Sequence, residues 1–208
     1  MKHRAVIFDI GGVIVDSPMQ GIARYEREQG LADGFINRLI VDTGAAGAWT
    51  RLERGELTME EFYPAFEGDC ARAGASVDAR DLMAAMAGAT AVRPMMIEAV
   101  KRIRAAGLIT AALTNNWKTE GGGENPVAEH FDAFVESSVV GLSKPDPRFY
   151  LHACEVIDVS PDEAVFLDDI GRNLKSARKL GMATIKVGDP RVALGELREL
   201  LGFPLGEN

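Results

Sequence analysis

Short unbroken apolar runs and longer amphipathic stretches divide this chain into two textures. Ala5, Val6, Ile7 and Phe8 form a run too short for a helix and made of residues that suit a strand buried on both faces. Comparable runs recur at residues 108–113, 134–136, 164–167 and 183–187. Between them lie segments whose apolar positions fall at helical spacing, at 94–106, 148–157, 173–180 and 192–201. Pro94 sits near the first turn of one such segment and Gly107 just past its end, the asymmetry expected of helix termini. A short helix near 127–131 and a turn of Ser143, Lys144, Pro145, Asp146 and Pro147 fill the remaining connections. Strands alternating with helices predict a doubly wound parallel sheet with right-handed crossovers.

Residues 17–90 read differently. Their apolar positions, such as Phe62, Phe66 and Cys70, or Leu82, Met83 and Met86, keep helical spacing throughout, and no strand pattern appears. Glycines at 30, 44, 47, 55, 74 and 88 break the segment into four or five short helices, one opened by a capping box of Thr58 and Glu61. The expected fold is therefore α/β, a doubly wound, Rossmann-like parallel sheet built from residues 1–16 and 91–208. An all-helical cap, residues 17–90, is inserted after the first strand and should lie over the strand ends.

Composition narrows the function classes. Hydrophobic residues make up 47% and charged residues 26% of 208 positions, without repeats or low-complexity tracts, as in a soluble globular enzyme. The net charge of −8 argues against a nucleic-acid partner, which needs clustered Lys and Arg, but leaves room for a small phosphorylated ligand. There is no apolar run of about 18 residues to span a membrane. The chain enters its first strand at once, leaving no room for a signal peptide. Cys70 and Cys154 fall in helices, are not spaced as metal ligands and read as buried thiols, so a cytoplasmic location is expected.

Chemistry concentrates where the strands end, the edge at which open α/β sheets bind ligands. The first strand ends in Asp9 followed by Gly11 and Gly12, the second in Thr114 and Asn115, and another in Asp168 and Asp169; Lys144 arrives from a loop. One lysine cannot neutralise three carboxylates, whereas a hard divalent cation such as Mg²⁺ can. With that cation, Thr114, Asn115 and Lys144 would complete a pocket for the oxygens of a phosphoryl group, with Asp9 attacking phosphorus in line.

The segments FDIGGVIVD, LTNN, SKPDP and FLDDIGRN resemble, in order and spacing, the four motifs of the haloacid dehalogenase superfamily. The whole chain, including RLERGELTMEEF in the insert, is similar to the phosphatase domain of soluble epoxide hydrolases and the related domain of acyl-CoA dehydrogenase fusion proteins. The resemblance implies a Mg²⁺-dependent phosphatase acting on a small phosphorylated metabolite selected by the cap. Asp9 would be nucleophile and metal ligand. Thr114 would hold the phosphoryl oxygen with Asn115 and Gly12 beside it, and Lys144 would stabilise nucleophile and phosphate. Asp169 would bind the metal directly, Asp168 nearby or through water, and Asn173 would orient the acidic loop.

The chain departs from the family pattern at position 11. Superfamily phosphatases commonly carry a second Asp there, which moves the proton of the leaving group; Gly11 can offer the metal its backbone carbonyl but has no such side chain. Loss of general acid–base catalysis typically costs about 10²- to 10⁴-fold. Three outcomes are open: a substrate whose leaving group needs little protonation, a proton supplied from the cap by Glu53, Glu56 or Glu60, or a weak, phosphate-binding relic. A 2-haloacid dehalogenase is the competing enzyme, since halide leaves without a proton, although such enzymes need no metal and the Asp168–Asp169 pair would repel a carboxylate substrate.

The remaining polar features read more plainly. Trp49 and Trp117 are packing residues, Trp117 near enough to Thr114 to border the pocket. His3, His130 and His152 are too scattered for a triad or zinc site. Gly121 to Gly123 lacks the Lys and Ser or Thr of a P-loop. Arg51 and Arg54 are either solvated helix charges or substrate contacts.

Overall fold

The computed structural model of the protein describes residues 2–87, 91–118 and 125–205. Strand β1 (Ala5–Phe8) is followed by five α-helices: α1 (Met19–Glu28), α2 (Phe35–Thr43), α3 (Ala48–Glu53), α4 (Met59–Arg72) and α5 (Ala79–Ala87). The chain then resumes its α/β alternation with α6 (Pro94–Ala105), β2 (Ile109–Thr114), β3 (Ala133–Glu136), α7 (Ser137–Val140) and α8 (Pro147–Val156). It ends with β4 (Ala164–Asp168), α9 (Gly171–Lys179), β5 (Ala183–Lys186) and α10 (Pro190–Leu201). Single 3-10 turns lie at Gly44–Ala46, Ala128–His130 and Pro161–Glu163. Two of these elements go beyond the apolar pattern: α7, whose four residues are too few to register a period, and the 3-10 turn at Pro161–Glu163. The Gly121 to Gly123 segment lies outside the described residues.

The five strands form one parallel sheet in the order β3-β2-β1-β4-β5. All four side chains of β1 are fully buried because the strand is flanked on both edges and covered on both faces. Successive residues point to opposite faces. Val6 and Phe8 pack with Val100 and Ile103 of α6 and Leu197 of α10, whereas Ala5 and Ile7 pack with Phe149 and Tyr150 of α8 and Leu174 of α9. The result is a three-layer sandwich. Its first strand sits where the strand order reverses, and the exit of that strand opens on the crevice typical of such sheets.

The five helices between β1 and α6 have their own apolar centre. Phe62 stacks on Phe66 at 5.2 Å, and Trp49 meets both edge-on or tilted, with Ile22, Ile36, Leu52 and Leu82 around them. Thr58 and Glu61 form the capping box at the start of α4. Two buried carboxylates stitch the segment: Glu26 accepts the backbone N–H groups of Gly34 and Ile36, both at 2.8 Å, and Asp69 accepts that of Ala48 at 2.8 Å. The chain leaves and re-enters the sheet layer side by side. Val15 bridges Val92 antiparallel, Asp16 donates to Ala91 O, and Arg93 donates its backbone N–H to Ile14 O and its guanidinium to Gly12 O and Asp16.

Candidate active site

Four of the motif residues converge at the exits of β1 and β4. The register pairs Phe8 with Leu167, so Asp9 and Asp168 leave the sheet side by side. Lys144, carried on the loop between α7 and α8, is buried and reaches both: Nζ lies 2.7 Å from Asp9 Oδ1 and 2.9 Å from Asp168 Oδ2. Asp168 is saturated with donors. Besides Lys144 it accepts from the Ile170 backbone at 2.7 Å and from Asn173 Nδ2 at 3.0 and 3.2 Å. Asp9 Oδ1 also accepts the Ile10 N–H at 2.7 Å, so its carboxylate is held in one orientation.

Burial dominates the electrostatics of this cluster. It pushes the Asp9 carboxyl up to about 8; Lys144 opposes the shift, while Asp168 and Asp169 add to it. Burial alone would lower the Lys144 pKa, but the Asp168 and Asp9 carboxylates override it and hold the ammonium above its ordinary value. Asp169 is raised by burial and by its neighbour Asp168, with the Ser17 hydroxyl opposing at 3.1 Å. Asp9, Asp168 and Asp169 each offer an oxygen, all within 4.8 Å of one another. An all-oxygen donor set with more negative charge than one lysine balances fits a hard divalent cation. Asp169 is the less encumbered of the acidic pair, with one side-chain bond to Ser17 against the several donors on Asp168.

The two glycines after Asp9 differ. Gly12 has φ +75°, and a Cβ there would fall 2.1 Å from Asp169 Oδ2, so the close approach of backbone and carboxylate requires glycine. Gly11 lies outside the left-handed region, and a Cβ there would meet only Pro18 at 3.4 Å, an ordinary contact. Its missing side chain is not a steric necessity.

Thr114 ends β2 on the other side of β1; among the described residues its hydroxyl makes only a long contact of 3.4 Å to Asn115 O. The sequence reading made Asn115 a direct substrate contact, but its side chain is already committed. Oδ1 accepts the Lys144 backbone N–H at 2.8 Å, and Nδ2 donates to Lys144 O at 3.1 Å and to Glu53 Oε2 at 2.9 Å. Asn115 thus ties the lysine loop to the end of α3. Ser137 reinforces that tie through a 2.6 Å bond to Glu53 O, and Gly55, at φ +69°, passes so close to Ser138 O that a Cβ would lie 2.4 Å away. Glu53 also accepts from Trp49 Nε1 at 3.1 Å. Burial drives its carboxyl up to about 7, while Trp49, Arg172, Lys144 and Asn115 pull the other way.

A cavity of about 620 Å³ opens between α2, α3 and the lysine loop, with Lys144, Glu53 and Arg172 on its polar wall and Ile40, Val41 and Leu142 on its apolar one. Of the other acids in the helical segment, Glu56 is exposed and paired with Arg54 at 2.6 Å, and Glu60 is exposed and paired with Arg80 at 2.6 Å; these partners lower both pKa values. Arg51 lies 3.6 Å from Glu56. Trp117 packs against Trp49 in the helical segment. The histidines lie apart, His3 at the opposite end of β1, His130 in a 3-10 turn and His152 on α8. Cys70 and Cys154 are free, buried thiols with raised pKa values.

Residues 3–181 match the family model of haloacid dehalogenase-like hydrolases. The chain belongs to this family of hydrolases. Relatives of the chain include acyl-CoA dehydrogenase family member 10 of Mus musculus, 40% identical over 98% of this chain and 20% of its own length. Another is bifunctional epoxide hydrolase 2 of Sus scrofa, 33% identical over 99% and 40%. The chain thus spans less than half the length of these relatives. Among solved structures, a HAD-like hydrolase from Porphyromonas gingivalis superposes with a TM-score of 0.71 at 21% identity, covering 97% of this chain and 98% of that one. More distant members carry different chemistries in their names: a sesquiterpene phosphatase of Aspergillus oryzae (25% identical, 96% and 97% covered) and an (S)-2-haloacid dehalogenase of Pseudomonas (24%, 88% and 84%). A HAD family enzyme of Bacteroides thetaiotaomicron with the same fold (TM-score 0.60, 19% identical, 90% and 96% covered) was solved with magnesium and inorganic phosphate. Among the described residues no helix is long and apolar enough to cross a membrane.

Proposed function

We propose that this chain is a Mg²⁺-dependent phosphatase that hydrolyses a small phosphomonoester through an aspartyl-phosphate at Asp9. The observation that carries the reading is the crowding of Asp9, Asp168 and Asp169 within 4.8 Å around one lysine, a charge excess that a divalent cation offsets and that a haloacid site would not need. Asp9, Asp169 and the Gly11 carbonyl would hold Mg²⁺, with Asp168 beside them and Asn173 fixing Asp168. When bound, the cation supplies charge neutralisation for the phosphoryl oxygens. Asp9 attacks phosphorus with its carboxylate held by Lys144 and the Ile10 N–H. Lys144 spends two of its three donors on Asp9 and Asp168 and keeps one for a phosphoryl oxygen. The Thr114 hydroxyl and the Gly12 backbone complete the oxygen cradle, and Asn115 contributes by fixing the position of Lys144.

The phosphatase name of a relative that matches nearly end to end supports this reading, as does the magnesium and phosphate complex of a family neighbour. Incubating the protein with a panel of phosphate esters should release phosphate with Mg²⁺, with none in chelator and none from Asp9→Asn; silence on every ester would reject the reading. Gly11 favours one other reading, a dehalogenase in which Asp9 attacks carbon, and a relative bears that name. Metal-independent chloride release from a 2-chloroalkanoate would establish it in place of the first.

A further inference from the structure

The phosphatase reading leaves one proton without a carrier. When Asp9 attacks phosphorus, the P–O bond to the organic group breaks and the departing oxygen needs a proton, which Gly11 cannot give. We propose that Glu53, at the end of α3 in the cap, is the acid that protonates the leaving oxygen, and the base that then takes a proton from the water attacking the aspartyl-phosphate. The inference rests on the phosphatase reading and deepens it.

Geometry selects Glu53 among the available acids. Lys144, whose ammonium lies 2.7 Å from Asp9, also lines the 620 Å³ cavity, so that cavity adjoins the lysine loop beside Asp9 and offers room for the organic group of a phosphate held there. Glu53 lines the same cavity and is hydrogen-bonded to Asn115, the residue after Thr114. An ester oxygen directed into this cavity would meet this carboxyl on its wall. The other acids on the cavity wall, Glu56 and Asp146, are each ion-paired to an arginine at 2.6 Å, which holds them as carboxylates. Glu53 has no ion pair among the described residues; its side-chain partners are Trp49 Nε1 and Asn115 Nδ2, and each carboxyl oxygen keeps a lone-pair position for a proton. Arg172 and Lys144 are the charged groups that face it, and against them burial still raises the carboxyl to about 7, where an acid–base group works best near neutral pH.

The proton balance closes. The leaving oxygen takes the Glu53 proton and departs as an alcohol. The Glu53 carboxylate accepts a proton from water as that water attacks phosphorus, which frees Asp9 and restores the acid.

The test compares two esters on the Mg²⁺-loaded enzyme, 4-nitrophenyl phosphate, whose leaving group needs no proton, and a simple alkyl phosphate, whose leaving group does. Glu53→Gln should lower kcat/KM for the alkyl ester by about 10²- to 10⁴-fold and for the nitrophenyl ester by far less. In the wild type, the alkyl ester alone should lose rate as pH rises through about 7, a comparison that requires no variant. The structure accepts a Cβ at Gly11 at ordinary contact with Pro18, so adding Gly11→Asp to Glu53→Gln should restore alkyl turnover. Equal losses on both esters would make Glu53 a structural latch and overturn the proposal, as would unchanged alkyl turnover. Wild-type protein inactive on both esters would reject the phosphatase reading itself.

Discussion

The cap segment and the strand-end crevice both bury carboxylates, and they treat them in opposite ways. Glu26 and Asp69 lie apart within the helical segment, Glu26 with the Gly34 and Ile36 N–H groups and Asp69 with the Ala48 N–H and the Arg72 guanidinium. Asp9, Asp168 and Asp169 are pressed within 4.8 Å of one another and share a single lysine. A dispersed, satisfied acid stabilises the chain conformation around it. A crowded set destabilises itself until a counter-ion arrives, the arrangement expected of a site whose ligands are assembled before the ligand binds. Glu53 stands between these types, paired with the neutral donors Trp49 and Asn115 as Glu26 is with backbone amides, yet lining the cavity beside Lys144.

That contrast can be broken at either end. The largest effect is expected for Lys144→Met. Removing the ammonium that Asp9 and Asp168 share leaves buried carboxylates facing one another, which should cost about 3–5 kcal/mol in denaturant unfolding as well as activity. If the metal-free variant were as stable as the wild type, the charge crowding would be illusory. Glu26→Ala should cost about 2–3 kcal/mol by stranding the Gly34 and Ile36 amides, while kcat of the folded protein stays unchanged. A Glu26 variant that lost turnover without losing stability would erase the distinction between the two sets.

A pH series sharpens the comparison. Burial raises the folded-state pKa of Asp9 from 3.8 to about 8, so the folded protein holds this proton longer than the unfolded chain. The stability of metal-free wild type relative to Asp9→Asn should therefore be greatest below about pH 4 and fall as pH rises towards 8. Thermal melts of the two proteins side by side would reveal the sign, and a constant difference would contradict it. Smallest of all is Gly11→Ala, whose added methyl meets only Pro18 and should leave melting within about 0.5 kcal/mol of wild type. Gly12→Ala, by contrast, should be destabilised and impaired in Mg²⁺-dependent stabilisation, because its Cβ lands on Asp169.

The strand-end chemistry was legible because buried strands announce themselves as apolar runs, and the residue after each run must emerge at the crevice. Asp9, Thr114 and the Asp168–Asp169 pair follow from that rule, whereas Lys144, a loop lysine, stands out only by its place among the motifs, and charge balance points to the cation. The capping box at Thr58 was equally local. What the linear pattern left open depends on how the cap packs against the sheet. Glu53 was one of three candidate acids until the fold brought it to Asn115, 62 residues away in sequence, and left Glu56 and Glu60 paired at the surface. The same packing commits the Asn115 amide to the lysine loop and draws Trp117 into the cap. The antiparallel bridge between Val15 and Val92 leaves no periodic trace in the sequence.

The central claim is covalent chemistry at Asp9, and it can be read directly. Quenching the Mg²⁺-loaded enzyme in acid during turnover of a phosphate ester, then mapping its peptides by mass spectrometry, should find one phosphoryl group on the peptide containing Asp9. Asp9→Asn should carry none. A phosphoryl group on another residue, or phosphate release at wild-type rate from Asp9→Asn, would contradict the account.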